Sequence, residues 1–311
     1  MKEKLSVIYD MTRQCPWNCT ICCMGAVADK NCRKDELNLK RKLSLMDDLA
    51  VVNNSLRDVY IDFSGGEIFT NEKDICVIEK AAQLLGKKKV GISSSGYKID
   101  DALAQRLSHC ISDCEMTMDV VPGKEYKLRP FGYAIAAEKA IPHLQKYGIG
   151  TGIQTVLAHS NCNEDNLRAL YEYLCGTGVD NWSILKFYPS GRGASYSEEV
   201  LTKEEEAKAV EFIKGSDKEN QSFKKPKIDF HYTMKGHEKS SEECRCVRKS
   251  IGIMPNGVVT SCFWAINSST GVVNPKYNLG SVKENSLAEI INSDRAAYWM
   301  NCTHKCELLD S

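Results

Sequence analysis

The sequence lacks a net charge, a long apolar run and an even set of cysteines, and each lack removes a class of protein. Lys+Arg and Asp+Glu both number 41, so no global field draws the chain onto nucleic acid, and the short basic run Lys87-Lys88-Lys89 reads as solvated surface. No stretch reaches the roughly 20 apolar residues that a bilayer crossing needs, and the first residues lack the apolar core of a secretory signal. The expectation is a cytoplasmic protein with no membrane and no nucleic-acid partner. Histidine is scarce too, and none of the six forms a convincing acid–base pair with a neighbouring carboxylate, so no hydrolytic mechanism suggests itself. Internal repeats and low-complexity tracts are absent.

Cysteine is what the chain has in excess. Fifteen in 311 residues is high for a reducing compartment, the number is odd, and a chain of this length builds a core without disulfide staples. Metal or redox use explains them better. Cys15, Cys19, Cys22 and Cys23 crowd the start, while Cys244, Cys246, Cys262, Cys302 and Cys306 gather in the last quarter. Two separate metal sites follow, with the intervening residues as scaffold.

That scaffold reads as α/β. Strand patterns at Leu5–Asp10, Arg57–Phe63, Lys89–Ser93, Glu115–Met118, Ile149–Leu157 and Trp182–Phe187 alternate with helical ones at Lys42–Asn53, Lys73–Leu85, Asp100–Ser108, Tyr133–Tyr147, Glu164–Gly176 and Lys203–Lys214. Six such units predict right-handed crossovers and a parallel sheet curled into a partial (β/α)6 barrel over residues 1–214, with active residues at the C-terminal strand ends. Residues 215–240, polar and lysine-rich, read as a connector. Residues 241–311 read as a small cysteine-bearing module with a hairpin at Ile251–Thr260 turning on Asn256-Gly257 and a helical stretch at Ser286–Met300.

Cys15-Pro-Trp-Asn-Cys19-Thr-Ile-Cys22 supplies three thiolates from one loop. Three soft ligands can hold three irons of a [4Fe–4S] cube and leave the fourth iron open to an external ligand. A three-ligand zinc site completed by Cys23 or Cys32 is the alternative, weakened because structural zinc usually takes its ligands as two pairs. Here the sequence resembles the radical S-adenosylmethionine (SAM) superfamily, whose signature is this C-x3-C-x2-C loop after the first barrel strand. Ser64-Gly65-Gly66-Glu67 resembles the family's GGE motif, which implies that Gly65, Gly66 and Glu67 hold the amino group of SAM. Ser94 and Ser95, in Ser93-Ser94-Ser95-Gly96, sit where relatives contact the ribose or carboxylate, although many have Thr-Asn-Gly there. Ile21 stands where an aromatic residue is common. The resemblance spans Leu5 to about Phe187. It implies reductive cleavage of SAM to a 5′-deoxyadenosyl radical that abstracts a substrate hydrogen, with the cofactor supplying the chemistry and the protein its placement. An external electron donor such as flavodoxin or ferredoxin is implied with it.

Cys246 and Cys262 flank the hairpin, and Cys302-Thr-His-Lys-Cys306 follows, so two pairs of thiolates can fully ligate a second, auxiliary [4Fe–4S] cluster. Structural zinc on the same four is the alternative. The segments Ile253–Cys262 and Leu279–Ile291 resemble the SPASM/twitch extensions of radical SAM enzymes, the one-cluster twitch form fitting the short module. Cys244 is surplus: it can replace Cys246 as ligand, act as a hydrogen-atom donor to a substrate radical as in radical SAM epimerases, or be a bystander, the preferred reading. Cys110 and Cys114 read as core, and Cys23, Cys32, Cys76, Cys162 and Cys175 likewise. Asp119 and Gln154, on strands at the mouth, are candidates to touch SAM or substrate. Arg192, in Pro189-Ser-Gly-Arg-Gly193, resembles a loop of SPASM-type relatives but reads equally as a surface charge.

The resemblance favours modification of a ribosomally made peptide by thioether or carbon–carbon crosslinking or by epimerisation. Few residues precede the first strand, so a separate leader-peptide-binding protein or the barrel mouth would hold the peptide. The alternatives are a radical dehydrogenase or mutase for a small metabolite such as an aminoglycoside, and a non-catalytic iron–sulfur or zinc protein. An electron carrier, however, has no need of a SAM cradle.

Overall fold

A computed structural model of the chain describes residues 2–221, 224–231, 234, 244–265 and 272–302. Seven parallel strands run in sequence order: β1 (Lys4–Asp10), β2 (Asp58–Ser64), β3 (Val90–Ser94), β4 (Asp113–Thr117), β5 (Gly150–Leu157), β6 (Asn181–Lys186) and β7 (Lys227–Phe230). Six helices connect them: α1 (Leu39–Ser55), α2 (Ile75–Leu85), α3 (Asp101–Leu107), α4 (Tyr133–Lys146), α5 (Glu164–Thr177) and α6 (Lys203–Glu219). The helix starts are written locally. Asn38, Asp100 and Asn163 each accept from a backbone N–H in the first turn, and Thr202 with Glu205 closes a capping box on α6.

Period-two alternation then sorts each strand's side chains. Leu5, Val7 and Tyr9 of β1 and Val59, Ile61 and Phe63 of β2 are fully buried and join the helices in one core. The opposite face carries Ser6, Tyr60, Asp62, Ser93, Glu115 and Gln154, a polar lining for the inside of the barrel. Cys110 and Cys114 are buried in the core as expected. Cys23, Cys76, Cys162 and Cys175 are only half-buried against it, and Cys32, on an exposed turn of 3-10 helix, does not pack there at all.

The segment expected as a connector holds structure. α6 runs to Glu219, and Lys227–Phe230 pairs in parallel with β6. This strand escaped the sequence pattern because it lies at a sheet edge, where Lys227 and Asp229 face outward from the core and dilute the apolar signal. The hairpin forms as expected from β8 (Ser250–Ile253) and β9 (Val258–Thr260), with β10 (Asn278–Ser281) antiparallel to β9. β8 also pairs in parallel with β1, from Ser6 opposite Ser250 to Tyr9 opposite Ile253. The module therefore continues the barrel's own sheet, in the order β10-β9-β8-β1 through β7. Arg57 fastens it by donating from Nη2 to the carbonyls of Val247 and Arg248, at 2.9 and 3.0 Å. The helical stretch at Ser286–Met300 is two helices, α7 (Leu287–Ile291) and α8 (Asp294–Met300), because Ser293 caps the second and so interrupts the first. Among the described residues no helix is long and apolar enough to cross a membrane.

Candidate functional site

The C-terminal end of β1 delivers the cysteine loop to the barrel mouth. Two backbone bonds, Cys15 N to Val27 O at 2.9 Å and Val27 N to Arg13 O at 3.0 Å, close it at its base, and Cys22 N to Cys19 O and Gly25 N to Cys22 O coil its tip. Cys15 and Cys19 are buried and Cys22 half-buried. Burial, reinforced by Glu67 and the neighbouring thiols, pushes Cys15 up to about 12, and burial also raises Cys19 against the opposing charge of Arg129. Such thiols lose their protons readily only to a metal centre. Among the described residues no three His, Cys, Asp or Glu side chains converge as a single metal ion requires. Three thiols on one loop are the number that a [4Fe–4S] cube with one open iron takes, whereas structural zinc usually draws its ligands as two pairs.

The GGE loop is pressed against the strand side of this loop. Gly66 N donates to Thr12 O at 2.7 Å and Glu67 N to Gln14 O at 2.8 Å. A Cβ on Gly66 would lie 2.2 Å from Gln14 O, which is why no side chain fits there. Glu67 is fully buried. It accepts from Ser94 Oγ at 3.0 Å, from Ser95 N at 2.9 Å, from the Ser95 hydroxyl and from Phe69 N at 3.3 Å. Ser95 Oγ in turn accepts from Trp17 Nε1 at 2.8 Å. Glu67, Ser94 and Ser95 therefore tie three mouth loops together through their side chains. Asp119 is buried and takes Arg129 Nε at 2.7 Å and Val156 N at 2.8 Å. Gln154 lies on the inner face of β5 and donates to Glu115.

Two arginines complete the site. Arg129, held by Asp119, reaches the Cys19 thiol, and no motif in the sequence flags it. Arg192 is a clamp and not a free surface charge: its Nε donates to Cys19 O at 3.0 Å, its Nη1 to Ala26 O at 2.5 Å and its backbone N to Cys22 O at 2.9 Å. Its Nη2 is buried with no acceptor among the described residues, a donor left over for an anionic group at the loop. Replacing Arg192 with Ala removes two charge-assisted bonds of about 1.5–3 kcal/mol each. Iron loss to a chelator such as bipyridyl should then be faster, and Arg192→Lys should restore little because one ammonium cannot span both carbonyls. Native iron retention in Arg192→Ala would rule out the clamp.

In the C-terminal module, Cys246 is buried and hydrogen-bonded through its thiol to both Cys244 and Cys262, which pushes it far up and lowers Cys262. Cys302 follows α8 and packs against the core. Cys306 lies outside the described residues. No curated protein matches the sequence. Residues 7–133 match a 4Fe-4S single cluster domain, and residues 244–307, which contain all five C-terminal cysteines, match the SPASM iron–sulfur cluster-binding domain. The whole fold is similar to native anSMEcpe with bound AdoMet and Cp18Cys peptide, with a TM-score of 0.71 at 15% identity over 98% of this chain and 84% of that one. It is also similar to Streptococcus suis SuiB bound to S-adenosylmethionine, with 0.74 at 13% identity over 99% and 72%. SuiB bound to precursor peptide SuiA gives 0.70 at 14% identity over 94% and 66%.

The chain has the radical SAM fold and carries a SPASM module. In that frame the two groups of cysteines are two iron–sulfur regions, an N-terminal [4Fe–4S] loop at the mouth of the radical SAM barrel and an auxiliary site in the SPASM module.

Proposed function

We propose that the chain is a radical SAM enzyme that modifies a peptide, by crosslinking or by epimerisation. The observation that carries the reading is the three-thiol loop packed on the GGE loop at the C-terminal end of a parallel barrel, beside a SPASM module. With its cluster bound, that loop supplies the electron that cleaves SAM and so a carbon radical able to take a hydrogen atom from substrate. Cys15, Cys19 and Cys22 would ligate the cluster, and Gly65 and Gly66, whose missing side chains let the GGE backbone press onto Thr12 and Gln14, would hold the methionine end of SAM beside the cysteine loop. Glu67, Ser94 and Ser95 would fix the walls of that site, with Asp119 acting on it through Arg129. Gln154, lower in the barrel, would meet substrate.

Peptide as substrate draws support from the two fold relatives whose structures contain one, Cp18Cys with anSMEcpe and SuiA with SuiB. An external electron donor of flavodoxin or ferredoxin type, and a separate protein that holds the leader, belong to the same proposal. The juxtaposition of Cys244 with Cys246 and Cys262 supports Cys262 with one of Cys244 and Cys246 as auxiliary-cluster ligands, over Cys244 as a free hydrogen donor. Cys302 and Cys306 would complete the auxiliary set.

The test uses anaerobically reconstituted protein with SAM and a reductant, given either short peptides encoded beside its gene or a panel of aminoglycosides. Peptide should stimulate 5′-deoxyadenosine formation and emerge short of two hydrogens when crosslinked, or carrying solvent deuterium when epimerised. Stimulation by aminoglycosides alone would replace this reading with a small-molecule dehydrogenase.

A further inference from the structure

The inner face of the barrel carries five acidic side chains from four strands: Asp10 on β1, Asp62 on β2, Asp113 and Glu115 on β4, and Asp229 on β7. They are neighbours. A Cβ built on Gly91 would lie 3.1 Å from Asp113 Oδ2 and 3.3 Å from Asp62 Oδ1, so both carboxylates flank the same glycine. Asp62 repels Asp10, Glu115 and Asp113 repel Asp62, and Asp113 and Asp229 repel Glu115. Their hydrogen bonds come from neutral donors: Ser93 Oγ to Asp62 Oδ2 at 2.8 Å, and Gln154 and Ser183 to Glu115.

No ion pair joins any of the five among the described residues; Lys227 shares the exposed face of Asp229 on β7, and the cations nearer the half-buried carboxylates are committed elsewhere. Arg129 is on Asp119, Lys186 on Glu206, Lys89 on Asp58, and Lys4 lies over the Tyr60 ring. Asp10 sharpens the point. It is fully buried beneath the cysteine loop, and neither of its oxygens has a hydrogen-bond partner among the described residues, the nearby Ser64 hydroxyl offsetting only part of its cost.

Asp10 is fully buried and Asp62 and Glu115 half-buried, with Asp113 and Asp229 exposed at the rim, and the desolvation and mutual repulsion of the inner three destabilise the fold, which points to a positive charge supplied from outside. A metal ion is the wrong cation, because no three of these groups converge on one point among the described residues. The ammonium of SAM is also insufficient. The cysteine loop lies at the C-terminal strand ends, whereas Asp113 begins β4 and sits about 13 Å farther down the strand.

We propose that this acidic lumen receives an alkylammonium or guanidinium group of the substrate, such as a lysine or arginine side chain of a peptide. The proposal rests on the peptide reading above and names the residue class that reading leaves open.

The experiment measures equilibrium binding of Nα-acetyl-lysine methylamide and its uncharged isostere, Nα-acetyl-norleucine methylamide, to the cluster-loaded protein by ligand-observed NMR. The lysine amide should bind about tenfold tighter or better, with an affinity that falls as salt rises. An Asp62→Asn/Glu115→Gln variant should lose that preference, retain its iron and melt at a higher temperature, because the amides keep the Ser93 and Gln154 contacts while repulsion is relieved. Burial, with Glu115 and Asp113 facing it, puts Asp62 at about 7, so lysine binding should strengthen as pH rises through neutrality and Asp62 ionises.

Equal affinity for the norleucine amide, an unchanged preference in the double variant, or a lower melting temperature would overturn the proposal. So would stoichiometric Mn2+ binding at these residues. A persistent lysine preference with no peptide turned over would remove the peptide reading alone, and peptide turnover without that preference would remove the lumen proposal alone.

Discussion

Replacing Cys15, Cys19 and Cys22 together with Ala is expected to abolish 5′-deoxyadenosine formation and to lower the reconstituted protein from roughly eight irons to about four. The effect is all-or-none for a chemical reason. The fourth iron is useful only while three thiolates hold the other three, and the loop that carries these thiols is held by backbone bonds and by Trp17, Arg129 and Arg192, none of which is altered. The barrel itself should persist, since its strands and helices are held by a core that extends far beyond this loop. Circular dichroism and melting should therefore change little while activity disappears. A parallel Cys76→Ala variant, altering a half-buried thiol on α2 outside both cysteine groups, should keep full iron and full activity. Continued production of 5′-deoxyadenosine by the triple variant would sink the proposed function, and a loss of all eight irons would mean that the two regions assemble as one.

The parts of this site that were legible in the sequence are those written within a few consecutive residues. The cysteine spacing, the two glycines before Glu67 and the Asn-Gly turn of the hairpin each encode local geometry, and the six strand–helix units follow from periodicity alone. Contacts between distant segments left no such trace. Arg192 holds Cys19 and Ala26 across more than 160 positions of sequence, a fact that no local pattern expresses. The same holds for Arg129 beside Cys19 and for the pairing of β8 with β1. Glu67 was legible as important but not in its posture. That its carboxylate turns to Ser94 and Ser95 depends on how closely β2 and β3 bring the two loops together. The acidic lumen is of the same kind: its five carboxylates are ordinary polar strand residues until a curled sheet turns them toward one another.

The clamp on the cysteine loop also makes a prediction in which one kind of substitution has opposite effects at different positions. Gly66→Ala would place a methyl 2.2 Å from Gln14 O, and Gly191→Ala would place one 2.2 Å from Cys23 O and 2.3 Å from Cys22 O, where both neighbours are backbone and cannot rotate away. Gly191 adds a positive φ of 57°, which favours glycine on its own account. Relief at either position requires the loop to move by about an ångström, and overpacking of that size typically costs 1–3 kcal/mol or more. Because the loop is the part free to give, the loss should appear as displaced thiolates and not as unfolding. Both variants should reconstitute only about four irons, those of the auxiliary site, and form no 5′-deoxyadenosine. Gly176→Ala is the counterpart. It lies near the end of α5 with nothing within 4 Å of its added carbon, so it should raise stability by about 0.5–1 kcal/mol through helix propensity and keep full iron. Full iron in Gly66→Ala or Gly191→Ala would show that the cysteine loop does not depend on the two backbones pressed against it, and the clamp would then have to be assigned to the Arg192 side chain alone.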